Sequence, residues 1–290
     1  MHIQMEARAK INLYLAVGAR RPDGYHDLRT IFHSVSLADT LTIRPADSLI
    51  VSCATPGCPE GRANIVYRAA ELLAGRGGIT PAASIVINKR IPMQAGLGGG
   101  SADAASALVG LNALWKAGAS LEELAAIGLK LGADVPFCVT GGAAYAEGIG
   151  DRLSPLPALS DGWIVILKPD TNVSTREAYA ALDANARPVG PDPAAALSAV
   201  RRRDLSQLAS ALYNDFEPVA LNQNPTIRRA HTALRKWLPA ALLCGSGAAL
   251  FGLASSEEEA ALAAAALEQD QWDARAARFA HTGWTMTAFE

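Results

Sequence analysis

The chain has 290 residues, 50% of them hydrophobic and 19% charged. At roughly 150 residues per domain this is about two domains with ample apolar material for packed cores, which excludes intrinsic disorder. The 26 lysines and arginines against 28 acidic residues leave a net charge of −2 and no basic stripe, so nucleic acid is not an expected partner. The longest basic run, Arg201-Arg202-Arg203, meets Asp204 at once and reads as a solvated helix face.

Four cysteines (Cys53, Cys58, Cys138, Cys244) in a chain of this length do not make a disulfide framework. No second Cys or His pair stands at zinc-ligand spacing, so they read as small residues of a reduced, cytoplasmic protein. The chain opens in β, with Ile11, Leu13, Leu15 and Val17 alternating. Asn12 interrupts this apolar run and Arg20 and Arg21 close it, which argues against a signal peptide. Arg21-Pro22-Asp23-Gly24 suits a hairpin turn, and strand-like pieces follow at 30–35, 40–44 and 49–53. Asn64 reads as the N-cap of a helix through Leu73. After a strand at 84–88 and a glycine-rich loop at 92–100, Ser101 is expected to open a helix carrying Ala105, Leu108, Val109 and Trp115. Ser120 to Glu123 forms a capping box for the next helix, with Gly132 as its stop.

Composition shifts at 151–162, so two domains are expected, 1–158 and 159–290. A strand at 163–167 precedes a second capping box, Ser174 to Glu177, and helical patterns cover 192–214 and 226–238. The uncharged stretch 237–256 has the length of a membrane helix, but Pro239, Gly245, Gly247 and Gly252 break it into strand, glycine turn and strand. Ser256 with Glu259 caps an alanine-rich helix, and the end returns to strand. Strands and helices interleave without regular βαβ spacing, so the expected class is α+β.

The sharpest local signal is Pro92-Met93-Gln94-Ala95-Gly96-Leu97-Gly98-Gly99-Gly100-Ser101-Ala102. Four glycines in five positions before a helix start let backbone N–H groups converge without Cβ obstruction, where the helix dipole favours a phosphate. It reads either as a phosphate cradle or as a flexible loop with a serine cap. It is neither a Walker A loop nor a Gly-x-Gly-x-x-Gly fingerprint. Lys10, a cation on a largely apolar strand, needs a partner or a ligand. Asp134, in Gly132-Ala133-Asp134-Val135-Pro136-Phe137, reads as a structural turn or as a site acid. Cys244-Gly245-Ser246-Gly247-Ala248 is a second small-residue turn.

Together these segments resemble the GHMP kinase superfamily, whose phosphate motif Pro-x-x-x-Gly-Leu-Gly-(Gly/Ser)-(Gly/Ser)-Ser-Ala is matched from Pro92 to Ala102. Ala9-Lys10-Ile11-Asn12-Leu13, Arg21-Pro22-Asp23-Gly24-Tyr25-His26, Asn64-Ile65-Val66 and Leu131-Gly132-Ala133-Asp134-Val135-Pro136 are similar to the branch acting on a cytidine-diphosphate-linked methylerythritol. Gln94 and Ala95 stand where that branch often carries glycines.

The resemblance implies a two-domain α+β fold, with a ribosomal protein S5 domain 2-like N-terminal domain and a ferredoxin-like C-terminal domain. It implies ATP with Mg²⁺, metal ligands unspecified, and phosphorylation of the substrate's 2-hydroxyl in the non-mevalonate route to isoprenoids. Lys10 and Asp134 would be catalytic, and Asn64, Lys89 and the run Pro92 to Ala102 would hold the nucleotide. Asn12, Tyr25, His26, Thr175 and Tyr179 would hold the substrate, the last four around cytosine. A small-molecule substrate, no nucleic acid, no membrane, and a monomer or weak homodimer are expected. Homoserine or mevalonate kinases are the near alternative, but they give no reason for Asp23-Gly24-Tyr25-His26.

Overall fold

In the computed structural model, residues 2–159, 161–184 and 190–289 are described. Two strands of 19 residues, β1 (His2–Arg20) and β2 (His26–Arg44), form an antiparallel pair joined by the turn at 21–25. In the first half of β1, Ile3, Met5 and Ala7 are buried while Gln4 and Glu6 are exposed. From Ala9 to Val17 every residue is buried, because both faces of that segment are covered. The pieces anticipated at 30–35 and 40–44 are therefore one strand, carried past its irregularities by register shifts against β1.

Strands β3 (Leu49–Cys53) and β4 (Ala83–Asn88) extend the sheet beyond β2, while β5 (Ala143–Glu147) pairs β2 and β6 (Arg152–Leu156). Helix α1 (Ile65–Gly77) is capped by Asn64, whose Oδ1 accepts from Val66 N. Helix α2 (Gly99–Leu114) is buried over its whole centre, Ala102 to Leu111, where alanines let it lie against β1, β2 and α1. Its N-cap is Gly98, not Ser101, since glycine reaches the left-handed φ of 69° found there. Helix α3 (Leu121–Leu129) opens with the Ser120–Glu123 capping box, and α4 (Val135–Thr140) follows Asp134 directly.

The second sheet is antiparallel, ordered β11-β7-β10-β9, with β7 (Trp163–Lys168), β9 (Ala241–Leu243), β10 (Leu250–Ala254) and β11 (Asp273–Arg278). Val165 and Leu167 face a core with Ile227, Leu234 and Leu267, while Ile164 and Ile166 face the core of the first sheet. Burial on both faces explains the uninterrupted apolar run at 163–167. Helix α5 (Thr175–Asp183) begins at Ser174, but no side-chain cap bond forms there, so the second capping box is not realised. The pattern at 192–214 is not one helix. Arg203 turns left-handed between α6 (Ala194–Arg202) and α7 (Leu205–Ala211), and β8 (Tyr213–Asn214) then pairs with β1. Helices α8 (Phe216–Gln223), α9 (Pro225–Trp237) and α10 (Glu257–Gln269) follow. Strand β12 (Trp284–Phe289) returns to the first sheet beside β1. Among the described residues no helix is long and apolar enough to cross a membrane.

Candidate active site

A cavity of about 1590 Å³ opens between the two sheets, and its lining draws on both halves of the chain. At its centre β1 is irregular. Between Arg8 and Lys10 the register against β2 shifts, and Lys10 N donates instead to Leu97 O at 3.0 Å, tying the glycine loop to the strand. The Lys10 ammonium is buried. It donates to Asn12 Oδ1 at 2.9 Å, lies 3.4 Å from Asp134 Oδ2, and sits 5.1 Å from the centroid of the Phe32 ring. Asn12 passes the constraint on, since its amide donates to Thr30 Oγ1 at 2.7 Å and that hydroxyl donates to Tyr14 O.

Asp134 is the backbone N-cap of α4, yet its side chain makes no capping bond and is 35% exposed. A turn residue would have spent its carboxylate on the helix. This one faces Lys10.

The loop at 92–98 turns through left-handed Gly96 and Gly98 into α2. Gly96 packs so closely on the turn at 244–247 that an added Cβ would lie 1.9 Å from Cys244 O. Ala249 N donates to Ala95 O at 3.1 Å, so the second glycine turn braces the first. Asn214 holds that turn, donating to Leu243 O and Gly245 O at 2.8 Å each. Beneath the loop, Lys89 donates to Asp39 Oδ2 at 2.5 Å and Asp103 Oδ2 at 2.6 Å, all three side chains being at least nine-tenths buried. Asp39 Oδ1 also accepts from Ile91 N at 2.8 Å, so this triad joins β2, the end of β4 and α2. Burial, with Asp39 beside it, pushes the Asp103 carboxyl up to about 7 against the pull of Lys89. Burial alone would lower Lys89, but the two carboxylates outweigh it and hold its pKa above the usual value.

At the other end, Tyr25 stands 60% exposed on the hairpin turn and His26 is buried beside it. The His26 ring stacks on Tyr179, centroids 4.9 Å apart at 24°, and Tyr179 meets Phe216 edge-on. His26 Nε2 lies 2.9 Å from Asp183 Oδ1, and Thr175 Oγ1 lies 3.3 Å from Ser246 Oγ.

The cavity thus gathers Lys10, Asn12, Tyr25, His26, Asn64, Lys89, Pro92 to Ser101, Asp134, Thr175 and Tyr179. Ala102 lies in the loop's continuation but is fully buried in α2. The Lys89 ammonium is taken by the two carboxylates, and the Asn64 side chain is bonded to Val66 N and Pro59 O. Sequence reasoning did not single out Asp39, Asp103, Asp183, Phe216 or Asn214. Asp103 had a signal, as the only charge in α2.

Models of two families match: the GHMP kinases N terminal domain over 64–142, and GHMP kinases C terminal over 196–274. A 4-diphosphocytidyl-2-C-methyl-D-erythritol kinase of Gloeobacter violaceus is 42% identical over 275 residues, covering 91% of this chain and 90% of its own. The chain belongs to the 4-diphosphocytidyl-2-C-methyl-D-erythritol kinase family. As a member of that family it is a small-molecule kinase of the GHMP fold. The same named enzyme of Moorella thermoacetica is 42% identical over 272 residues, covering 92% of this chain and 95% of its own. A crystal structure of 4-(cytidine 5'-diphospho)-2C-methyl-D-erythritol kinase superposes with a TM-score of 0.81 at 39% identity, over 95% of this chain and 98% of that one. Homoserine kinase of Cytophaga hutchinsonii shares the fold, with a TM-score of 0.77 at 18% identity over 99% and 97% of the two chains.

Proposed function

We propose that the chain transfers the γ-phosphoryl group of ATP to the 2-hydroxyl of 4-diphosphocytidyl-2-C-methyl-D-erythritol, in the non-mevalonate route to isoprenoids. The observation that carries this is one cavity with a Lys10–Asp134 pair beside a glycine loop and a Tyr25–His26–Tyr179 cluster at its far end. Phosphoryl transfer asks the protein chiefly for positioning and electrostatic stabilisation. Asp134 accepts the proton of the attacking hydroxyl. Lys10, 3.4 Å from that carboxylate, orients it and stabilises charge developing on the phosphoryl oxygens. Asn12 aims the Lys10 ammonium.

The N–H groups of 96–101 hold the triphosphate, with the start of α2 directed at it. The Lys89 triad props this loop from beneath, and Asn64 shapes the adenine side through α1. Mg²⁺ fits as an ion that arrives with the nucleotide. Ser101, in the first turn of α2 and part of the cavity lining, would offer that ion a hydroxyl oxygen. Such an ion supplies neutralisation of phosphate charge. Tyr25 and Tyr179 supply aromatic faces for cytosine, His26 its hydrogen-bonding edge, and Thr175 the rim.

A coupled assay of ATP consumption with the cytidine substrate, mevalonate and homoserine tests this reading. Turnover with the cytidine substrate alone is expected. Equal or better use of mevalonate or homoserine would overturn it.

A further inference from the structure

We propose that Asp183 fixes His26 as its Nε2–H tautomer, so that the Nδ1 lone pair is what reads the exocyclic amine of cytosine and turns uracil away. The inference rests on the cytidine reading above and adds a residue that selects the base.

Asp183 Oδ1 lies 2.9 Å from His26 Nε2. An ionised carboxylate only accepts, so the proton of this bond belongs to the imidazole. In the neutral ring the other nitrogen, Nδ1, then carries a lone pair. Nδ1 has no hydrogen-bond partner among the described residues, and the ring belongs to the lining of the cavity.

The ring cannot easily turn to present its other nitrogen. Tyr179 stacks on it, and Phe216 backs Tyr179 edge-on. One helix supplies both restraints, because Tyr179 and Asp183 stand four residues apart on α5 and share a face. Cytosine offers an N4 amine, a donor, where uracil offers O4, an acceptor. A fixed lone pair therefore bonds the first and repels the second. A site built to pair one edge leaves groups unpaired with the wrong one, which is how polar discrimination becomes large.

The test has two arms. Nitrogen-15 NMR of the histidine-labelled full chain at pH 8, with His26 assigned through a His26→Gln variant, reads the tautomer directly. The proposal expects protonated Nε2 and unprotonated Nδ1; a protonated Nδ1 in the wild type overturns it.

The second arm is the ratio of kcat/KM for the cytidine substrate to that for its uridine analogue. An amide can donate or accept, so Asp183→Asn frees both tautomers and should lower the ratio by about tenfold or more. Asp183→Glu restores an acceptor and should recover most of the ratio. An unchanged ratio in a folded Asp183→Asn protein overturns the proposal. Equal use of both substrates by a wild type that shows the Nε2–H tautomer would instead overturn the cytidine reading, and the base-selection claim with it. Strong discrimination by a wild type with the wrong tautomer overturns this proposal and leaves the cytidine reading standing.

Discussion

Replacing Gly96 by alanine should break the phosphate loop by wedging it off the turn at 244–247. The new Cβ would lie 1.9 Å from Cys244 O and 2.8 Å from Cys244 C, both backbone atoms of a turn that cannot rotate away. Ordinary contact begins near 3.4 Å, so the loop and the turn must separate by about 1.5 Å. That movement breaks the bond from Ala249 N to Ala95 O, now 3.1 Å, and strands a buried acceptor at a cost of about 1–3 kcal/mol. The left-handed φ of 78° adds about 1–2 kcal/mol for any residue with a Cβ. Together these amount to about 2–5 kcal/mol against a typical total of about 5–15 kcal/mol. The displaced N–H groups should also lose at least two charge-assisted bonds to phosphate, about 100-fold in nucleotide affinity or more.

Urea unfolding and calorimetric titration with a non-hydrolysable ATP analogue read the two effects separately. Two neighbours serve as comparisons. At Gly98 an added Cβ meets the Lys10 side chain, Cγ at 2.9 Å and Cε at 3.1 Å, so Gly98→Ala should depress turnover by displacing the lysine. At Gly100 it meets only Ile65 Cγ2 at 4.0 Å, so Gly100→Ala should keep its unfolding midpoint. A Gly96→Ala protein with wild-type midpoint and nucleotide affinity would refute the bracing of one glycine turn by the other.

Lys89→Met leaves Asp39 and Asp103 facing each other in a dry interior and should destabilise the fold by about 3–5 kcal/mol; a loss below about 1 kcal/mol in urea unfolding would count against the triad. His33 is fully buried, its Nδ1 2.8 Å from Ser34 O and its Nε2 accepting from Leu159 N, and burial lowers its pKa to about 4. Its ordinary value is near 6.5, so between pH 6.5 and 4 the unfolded chain takes up a proton that the folded one refuses. Stability therefore falls with pH across that window, by about 3 kcal/mol in all. Asp103, raised to about 7, acts with the opposite sign, its contribution being lost as pH rises toward 7. Comparison with His33→Gln cancels the Asp103 contribution, and equal pH slopes in the two proteins would contradict the assignment.

The motifs were legible because each is local. A glycine run before a helix and an isolated lysine on an apolar strand announce themselves by violating the pattern around them, whereas the Tyr-His pair after a turn took its reading from the family resemblance alone. What the chain did not announce is pairing over long separations. Asp39 and Asp103 are 64 residues apart and meet only because β2 and α2 both close on Lys89. Asp183 lies 157 residues beyond His26, at the end of α5, and no local pattern ties the two together. Periodicity also ran through Arg203, since the residues on either side keep a helical pattern while the backbone turns left-handed between them. Ser101 was misplaced as a cap for a different reason: the loop ends one turn earlier, at a glycine able to take the left-handed conformation.

On the proposed mechanism Asp134, held opposite Lys10, takes the proton of the attacking hydroxyl. Single-turnover transfer from ATP labelled at the γ-phosphate to the cytidine substrate, in wild type and Asp134→Asn, tests it most directly when nucleotide affinity is measured on the same samples. Transfer should fall by at least about 100-fold with nucleotide affinity close to wild type. Transfer at the wild-type rate by the folded Asp134→Asn protein would contradict it.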